Sequence, residues 1–320
     1  MTCKRVTTLT LVLGAALAGC GNYSNEDLEY MNAVPDRDAL TANMPAAGAL
    51  TVNEAELSKT THDVVATFNG LLDLFLGIVD AVREYPPSQR LPNQRIWGPV
   101  PAERELGWQW RFIVTRDPAA PANFAYALQF QRIGDPPSTW AALLTGWFEA
   151  TATSGARRGV GGFRVQTAEL RNAGYPFDNG GERIASIDVT YSTREFPISV
   201  VVDFVQFADF TFTATNTFHY EYGAQENGQG AMRFVISGAD LIPGPVIDSL
   251  AVTTRWLASG AGRGEATVTQ GDVVDGIQVV GLMQTECWDT NFRATYNYKP
   301  WKLEDNVGSD PSVCPDTPAF

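Results

Sequence analysis

"FTFTATNTFHYEY", residues 210–222, alternates apolar and polar side chains. Phe210, Phe212, Ala214, Phe218, Tyr220 and Tyr222 fall on one side; Thr211, Thr213, Thr215, Thr217, His219 and Glu221 fall on the other. Successive side chains of a strand point to opposite faces, so a period of two held over thirteen residues predicts one long strand with a dry and a wet face. Asn216 interrupts the dry side, where a buried amide needs a hydrogen-bond partner.

Similar runs occupy 107–116, 123–133, 139–150, 160–167, 183–193, 197–206, 229–237, 249–258, 263–270, 276–286 and 290–298. Between them sit "RDPAAPAN", "GDPPST", "GARRGVGG", "GYPFDNGGE", "GAQENGQG" and "GAGRG", all turn compositions. Strands in hairpin succession, with no helical stretch between them long enough for a crossover, predict an antiparallel meander. A meander of this size must curl or split. The expected fold is mainly β: a large barrel, strongly curved or incompletely closed, over 53–298 with one amphipathic helix on its concave side. A β-sandwich is the alternative.

The helix is expected over 54–85. Asn53 and Glu56 stand at capping-box spacing, and Val64, Phe68, Leu71, Leu72, Phe75, Val79 and Val82 recur at steps of three and four before Pro86 and Pro87. Gly70 and Gly77 lie seven apart and could admit another backbone at close range. Such a helix most simply covers a sheet; a mobile lid or a lipid-lying helix is the other use of its pattern.

At the amino end, Lys4 and Arg5 precede an uncharged run from Val6 to Ala18, too short for a bilayer-spanning helix and shaped like a secretory signal. Leu17, Ala18, Gly19 and Cys20 then match all four positions of the lipobox, and the stretch resembles that of bacterial lipoproteins. The resemblance covers the first twenty or so residues. It implies that residues 1–19 are removed, that the Cys20 thiol carries diacylglycerol, and that the new amino terminus is acylated. Thiols are nucleophilic enough for that transfer, and two or three chains hold a protein on a membrane nearly permanently. Gly21, where some lipoproteins carry an inner-membrane Asp signal, favours the outer membrane of the cell envelope. The competing reading of Ala16, Leu17 and Ala18 is an ordinary signal-cleavage site that leaves Cys20 bare.

Removing the signal lowers Lys+Arg from 23 to 21 against 36 Asp+Glu, so the formal charge deepens from −13 to −15. Nucleic acid is therefore excluded as a natural partner. Residues 20–52, acidic and poor in large apolar side chains, read as a lipid-anchored flexible tether. In an exported chain, Cys287 and Cys314 are expected to pair, tying the Pro-rich tail of 299–320 back to the last strand. Pro311, Pro315 and Pro318 keep that tail from closing a membrane-spanning barrel, although Phe320 is a terminal aromatic.

Catalytic patterns are missing from the sequence. His62 and His219 sit in no motif and read as surface side chains, and neither a metal-ligand spacing nor a cofactor fingerprint occurs. Gly155, Gly159, Gly161 and Gly162 read as a hairpin loop rather than a phosphate cradle. Asp178, Glu286 and Asp289 are the acids with some claim to calcium or acid–base work. Trp108 and Trp110 share a strand face and read as core or barrel lining. The leading expectation is a lipoprotein that holds a lipid or other hydrophobic small molecule in its curved sheet, with Phe210, Phe212, Phe218 and Tyr220 facing it; in outline this resembles the periplasmic lipid and lipoprotein carriers. A structural or adaptor lipoprotein docking other envelope proteins is the alternative, and an acid-dependent hydrolase the third. A filled sheet interior would favour the second over the first.

Overall fold

The computed structural model describes residues 23–34, 37–45, 54–102, 105–151, 158–177, 183–208, 211–212, 215–239, 246–271, 273–274 and 277–317. The signal, the lipobox, Cys20, Asn53, Gly155, Asp178, Phe210 and Phe320 lie outside these residues. Helices α1 (Asn25–Asn32) and α2 (Arg37–Leu40) precede the long α3 (Glu56–Arg83); α4 (Ala168–Asn172) interrupts the strands. The strands are β1 (Gln89–Leu91), β2 (Gln94–Pro101), β3 (Trp108–Arg116), β4 (Asn123–Arg132), β5 (Ala141–Ala150), β6 (Gly159–Gln166), β7 (Ile184–Ser192) and β8 (Ile198–Phe207). They continue as β9 (Thr215–Ala224), β10 (Gly230–Ala239), β11 (Asp248–Trp256), β12 (Gly262–Gln270), β13 (Val273–Val274), β14 (Ile277–Gln278), β15 (Met283–Trp288) and β16 (Ala294–Tyr298).

Fourteen strands form one sheet in the order β1 to β12, then β15 and β16, each antiparallel to its neighbour in the chain; β13 and β14 make a separate ribbon. The sheet curves but does not close, since β1 pairs with β2 alone and β16 with β15 alone. It is one continuous sheet, not the two of a sandwich. Both edges are guarded against further pairing. β1 has three residues, and beyond β16 Val307 exchanges main-chain hydrogen bonds with Asn297. The Cys287–Cys314 disulfide, with Cα atoms 5.3 Å apart, fastens the tail there.

The alternating residues of one face are buried, among them Phe112, Tyr126, Val202, Tyr220, Tyr222 and Val252. α3 crosses that concave face. Leu57 packs on Gly264 of β12, the Thr61 hydroxyl donates to that of Thr254 on β11 at 3.1 Å, and Phe68 meets the Tyr220 and Tyr222 rings at 6.5 and 6.1 Å. Beyond its far end, the Tyr85 carbonyl accepts from the Trp97 indole of β2. Twenty-eight residues at about 1.5 Å each let α3 reach from one side of the open sheet to the other.

Several expectations are corrected. The long strand starts at Thr215 rather than Phe210: Phe212 turns the chain with a φ of 57°, a left-handed conformation that ends strand pairing. Asn216 is exposed at the start of β9, where the dry face opens to solvent, so it interrupts no buried surface. The run at 276–286 is a ribbon and a turn before β15, and the hairpin of β1 and β2 was not anticipated. Gly159, Gly161 and Gly162 belong to β6, not to a loop. A Cβ on Gly161 would lie 2.3 Å from the Tyr191 hydroxyl, and one on Gly146 would lie 2.3 Å from the Tyr126 ring. Glycine lets each ring lie flat across the neighbouring strand and fill the concave face. Gly70 and Gly77 have nothing within 4 Å of an added Cβ, so neither receives a close backbone.

The largest correction concerns the tether. Residues 23–34 and 37–45 fold back on the domain instead of standing off it. Asp27, Tyr30 and Leu40 are fully buried. Asp27 caps α1 reciprocally with Ser24 and accepts from Arg90 of β1 and Arg95 of β2. Tyr30 lies edge-on to Phe124, with the guanidinium groups of Arg95 and Arg116 4.6 and 4.7 Å from its ring centre. Further along, Asn69 of α3 holds both main-chain groups of Ala42, and the Asn43 N–H donates to the Tyr222 hydroxyl. Acidic composition concealed a segment that pairs its carboxylates with strand arginines and inserts a few large side chains.

Candidate functional site

Among the described residues, buried side chains of α3 and of the strands meet on the concave face in one continuous core. The predicted ligand-facing residues are dispersed. Tyr220 is covered by Phe68. Phe218 stacks on Phe204 at 5.7 Å and is partly buried. Phe212 stands edge-on to Phe207 at 5.2 Å, beside the Arg171 guanidinium. Trp108 is buried against Tyr175, which also meets Phe130, and Trp110 packs on the core from a half-buried position, as lining side chains do.

The best-formed cleft lies at the other end of β9, about 370 Å³ and open to solvent. Ile198, Tyr222 and Ala224 form its apolar part, Phe196 and Arg158 one wall, and Asp38 with Glu226 the polar rim. α2 and the strand turns build it together. Tyr222 is fixed by its hydrogen bond from Asn43 N–H at 3.0 Å and by stacking on Trp256 at 6.4 Å, and the Trp256 indole donates to the Asn43 carbonyl. Burial pushes the Tyr222 hydroxyl above its ordinary pKa, keeping it neutral. The Arg158 guanidinium lies 5.1 Å from the Phe196 ring centre. The cleft offers an apolar floor, one cation and two acids, with no nucleophile paired to a base. No sequence signal marked it, because its residues come from four separate stretches.

The outer face is a charge ladder. Arg164 pairs with Asp188, and His219 stands between Asp203 at 2.7 Å and Glu221 at 3.2 Å, with Glu221 also bound by Arg233. The bond to Asp203 is the main reason the His219 imidazole titrates above its ordinary pKa. Charges on successive strands make this face a costly one to set against lipid tails.

Glu286 and Asp289 do not act together. Glu286 points under α3, where it accepts the N–H groups of Glu56 at 2.9 Å and of Leu57. Asp289 accepts from Asn291 and Arg293 N–H in the turn before β16. His62 is half-buried rather than free on the surface, its ring nitrogens facing the Ser58 and Pro45 carbonyls at 3.0 and 2.9 Å. Among the described residues no group of three His, Cys, Asp or Glu side chains is arranged to hold a metal ion, and no helix is long and apolar enough to cross a membrane. No protein-family model, curated protein or solved structure matches the chain.

Proposed function

We propose that the chain is an envelope lipoprotein, acylated at Cys20 and held on the outer membrane, whose role is structural or adaptor: it presents surfaces to other envelope components rather than carrying a lipid inside its sheet. The observation that carries the second half is the filled concave face, where Phe68, Leu72 and Leu76 of α3 are buried against the strand side chains. A carrier needs an enclosed apolar chamber of several hundred cubic ångströms, and Phe68, Leu72 and Leu76 take up part of the face that would form it, while the 370 Å³ cleft at the rim is open to solvent. The lipobox residues 17–20 support the anchor.

The rim cleft favours a second reading on a smaller scale, in which Tyr222, Ile198 and Phe196 receive one apolar group of a partner or small molecule. Mass spectrometry tests both halves. The chain isolated from membranes should begin at Cys20 with its acyl groups attached, and a signal-less Cys20→Ser chain should fly in native conditions without bound lipid. A bare thiol overturns the anchor; a lipid retained at one per chain overturns the adaptor role in favour of a carrier.

A further inference from the structure

Four features meet at one corner of the domain. Tyr23, the first described residue, packs on the core, close enough to Asp27 and Glu84 for their charges to act on its hydroxyl. α3 ends at Arg83, with Tyr85 beyond it. The β1–β2 hairpin reaches the same place, since Arg90 and Arg95 hold Asp27 of α1 at 3.0 and 2.7 Å. Around these joints three large side chains stand free: Leu28 on α1 at 44% exposure, Tyr85 at 65% and Leu91 at the hairpin tip at 45%.

Only two residues, Gly21 and Asn22, separate Cys20 from Tyr23, three steps along the chain. Fully extended they span about 10 Å. A tether of 33 residues would let the domain wander; one this short, ending on a half-buried residue packed against the core, does not. We infer that this corner rests on the bilayer, with Leu28, Tyr85 and Leu91 in contact with its interfacial region. The bilayer is the occupant because the acylated cysteine must lie within that short reach. Tyrosine favours the headgroup level, where its ring is dry and its hydroxyl wet. The carboxylates of Glu26 and Glu29 on α1 are engaged by Arg95 and Arg116, which reduces the charge this corner presents to lipid. The rim cleft and the turns beyond it are then held beside the membrane, and the opposite strand ends point away from it. The inference rests on acylation at Cys20.

Hydroxyl-radical footprinting of the full acylated chain tests it, in vesicles of equal phosphatidylcholine and phosphatidylethanolamine, against the signal-less Cys20→Ser chain in solution. Flotation of the vesicles is scored first, so that failure of the anchor is seen separately. With the chain afloat, labelling of Leu28, Tyr85 and Leu91 should fall at least threefold, while Leu106 and Ile133, exposed at the opposite strand ends, stay unchanged. A Leu28→Asp, Leu91→Asp chain should still float yet regain labelling at Tyr85. Equal labelling of the corner in both states, or protection of Leu106 and Ile133 instead, overturns the inference. A chain that does not float overturns the acylation and the docking together.

Discussion

Glu286 accepts the main-chain N–H groups of Glu56 and Leu57, so a carboxylate from β15 caps the amino end of α3 across more than two hundred residues of chain. Helix amino ends leave N–H groups unpaired, and here a strand rather than a neighbouring residue supplies the acceptor. Lys299, buried beside them, pairs with Glu56. Helix and last strands are thus stitched by one polar cluster.

That carboxyl should give stability a definite pH dependence. Burial raises its pKa from 4.5 to about 7, against the opposing pull of the two N–H donors and Lys299. The folded chain therefore holds the proton more tightly than the unfolded one. Its contribution is complete below pH 4.5 and is lost as pH rises through about 7, on the order of 3 kcal/mol in all. Urea denaturation across this window should show stability falling with pH, with a shallower fall in Glu286→Gln. An unchanged slope in the variant assigns the effect to another group.

Asp27 acts with the opposite sign. Burial pushes its pKa up, but hydrogen bonds from Ser24 N–H, Arg95, Arg90 and the Ser24 hydroxyl outweigh this and hold it at about 2, below its ordinary 3.8. Its contribution is complete above 3.8 and is lost as pH falls through about 2. Asp27→Asn leaves Arg95, only 3% exposed, without its buried carboxylate and with Glu26 as its remaining acid, and should cost up to about 3 kcal/mol at neutral pH. Limited proteolysis gives an independent readout: cleavage within 25–45 should rise in the variant before the sheet is attacked.

The Cys287–Cys314 bridge closes a separation of 27 residues, for which the chain-entropy account gives about 3.5 kcal/mol. Reduction, Cys287→Ser and Cys314→Ser should each lower stability by a comparable amount, and the double variant should be no worse than the singles. The loss should be expressed first at the β16 edge, as faster amide exchange at Asn297 and Val307, which pair only with each other across that edge.

The period of two located most of the main strands, and the apolar spacing located α3 to within two residues at each end, because both patterns reflect burial on one side of a regular element. The cysteine pair was legible from its count alone. Three features were not. The fold of 23–45 depends on arginines 60 or more residues away, which no local window weighs against an acidic composition. Gly159, Gly161 and Gly162 look like turn residues until the rings across the sheet are known. The capping of α3 by Glu286 and the rim cleft arise only when distant strands meet. Sequence pattern records which face is dry; it does not record what covers it.

Two glycines should answer the same substitution with opposite signs. Gly70 stands on the exposed side of α3 with nothing within 4 Å of an added Cβ, and Gly70→Ala should stabilise the chain by about 1 kcal/mol through helix propensity. Gly161 lies in β6 under the Tyr191 ring, where an added Cβ meets the hydroxyl at 2.3 Å and the Trp147 carbonyl at 2.9 Å. The ring must lift from the sheet, and Gly161→Ala should cost about 1–3 kcal/mol. Adding Tyr191→Phe removes the nearest clashing atom and should return part of that loss, a coupling that independent sites do not show. Urea midpoints at a constant denaturant slope measure all four chains. Were Gly161→Ala neutral, the rings would not be packed flat over glycine, and the filled concave face on which the adaptor role rests would lose its support.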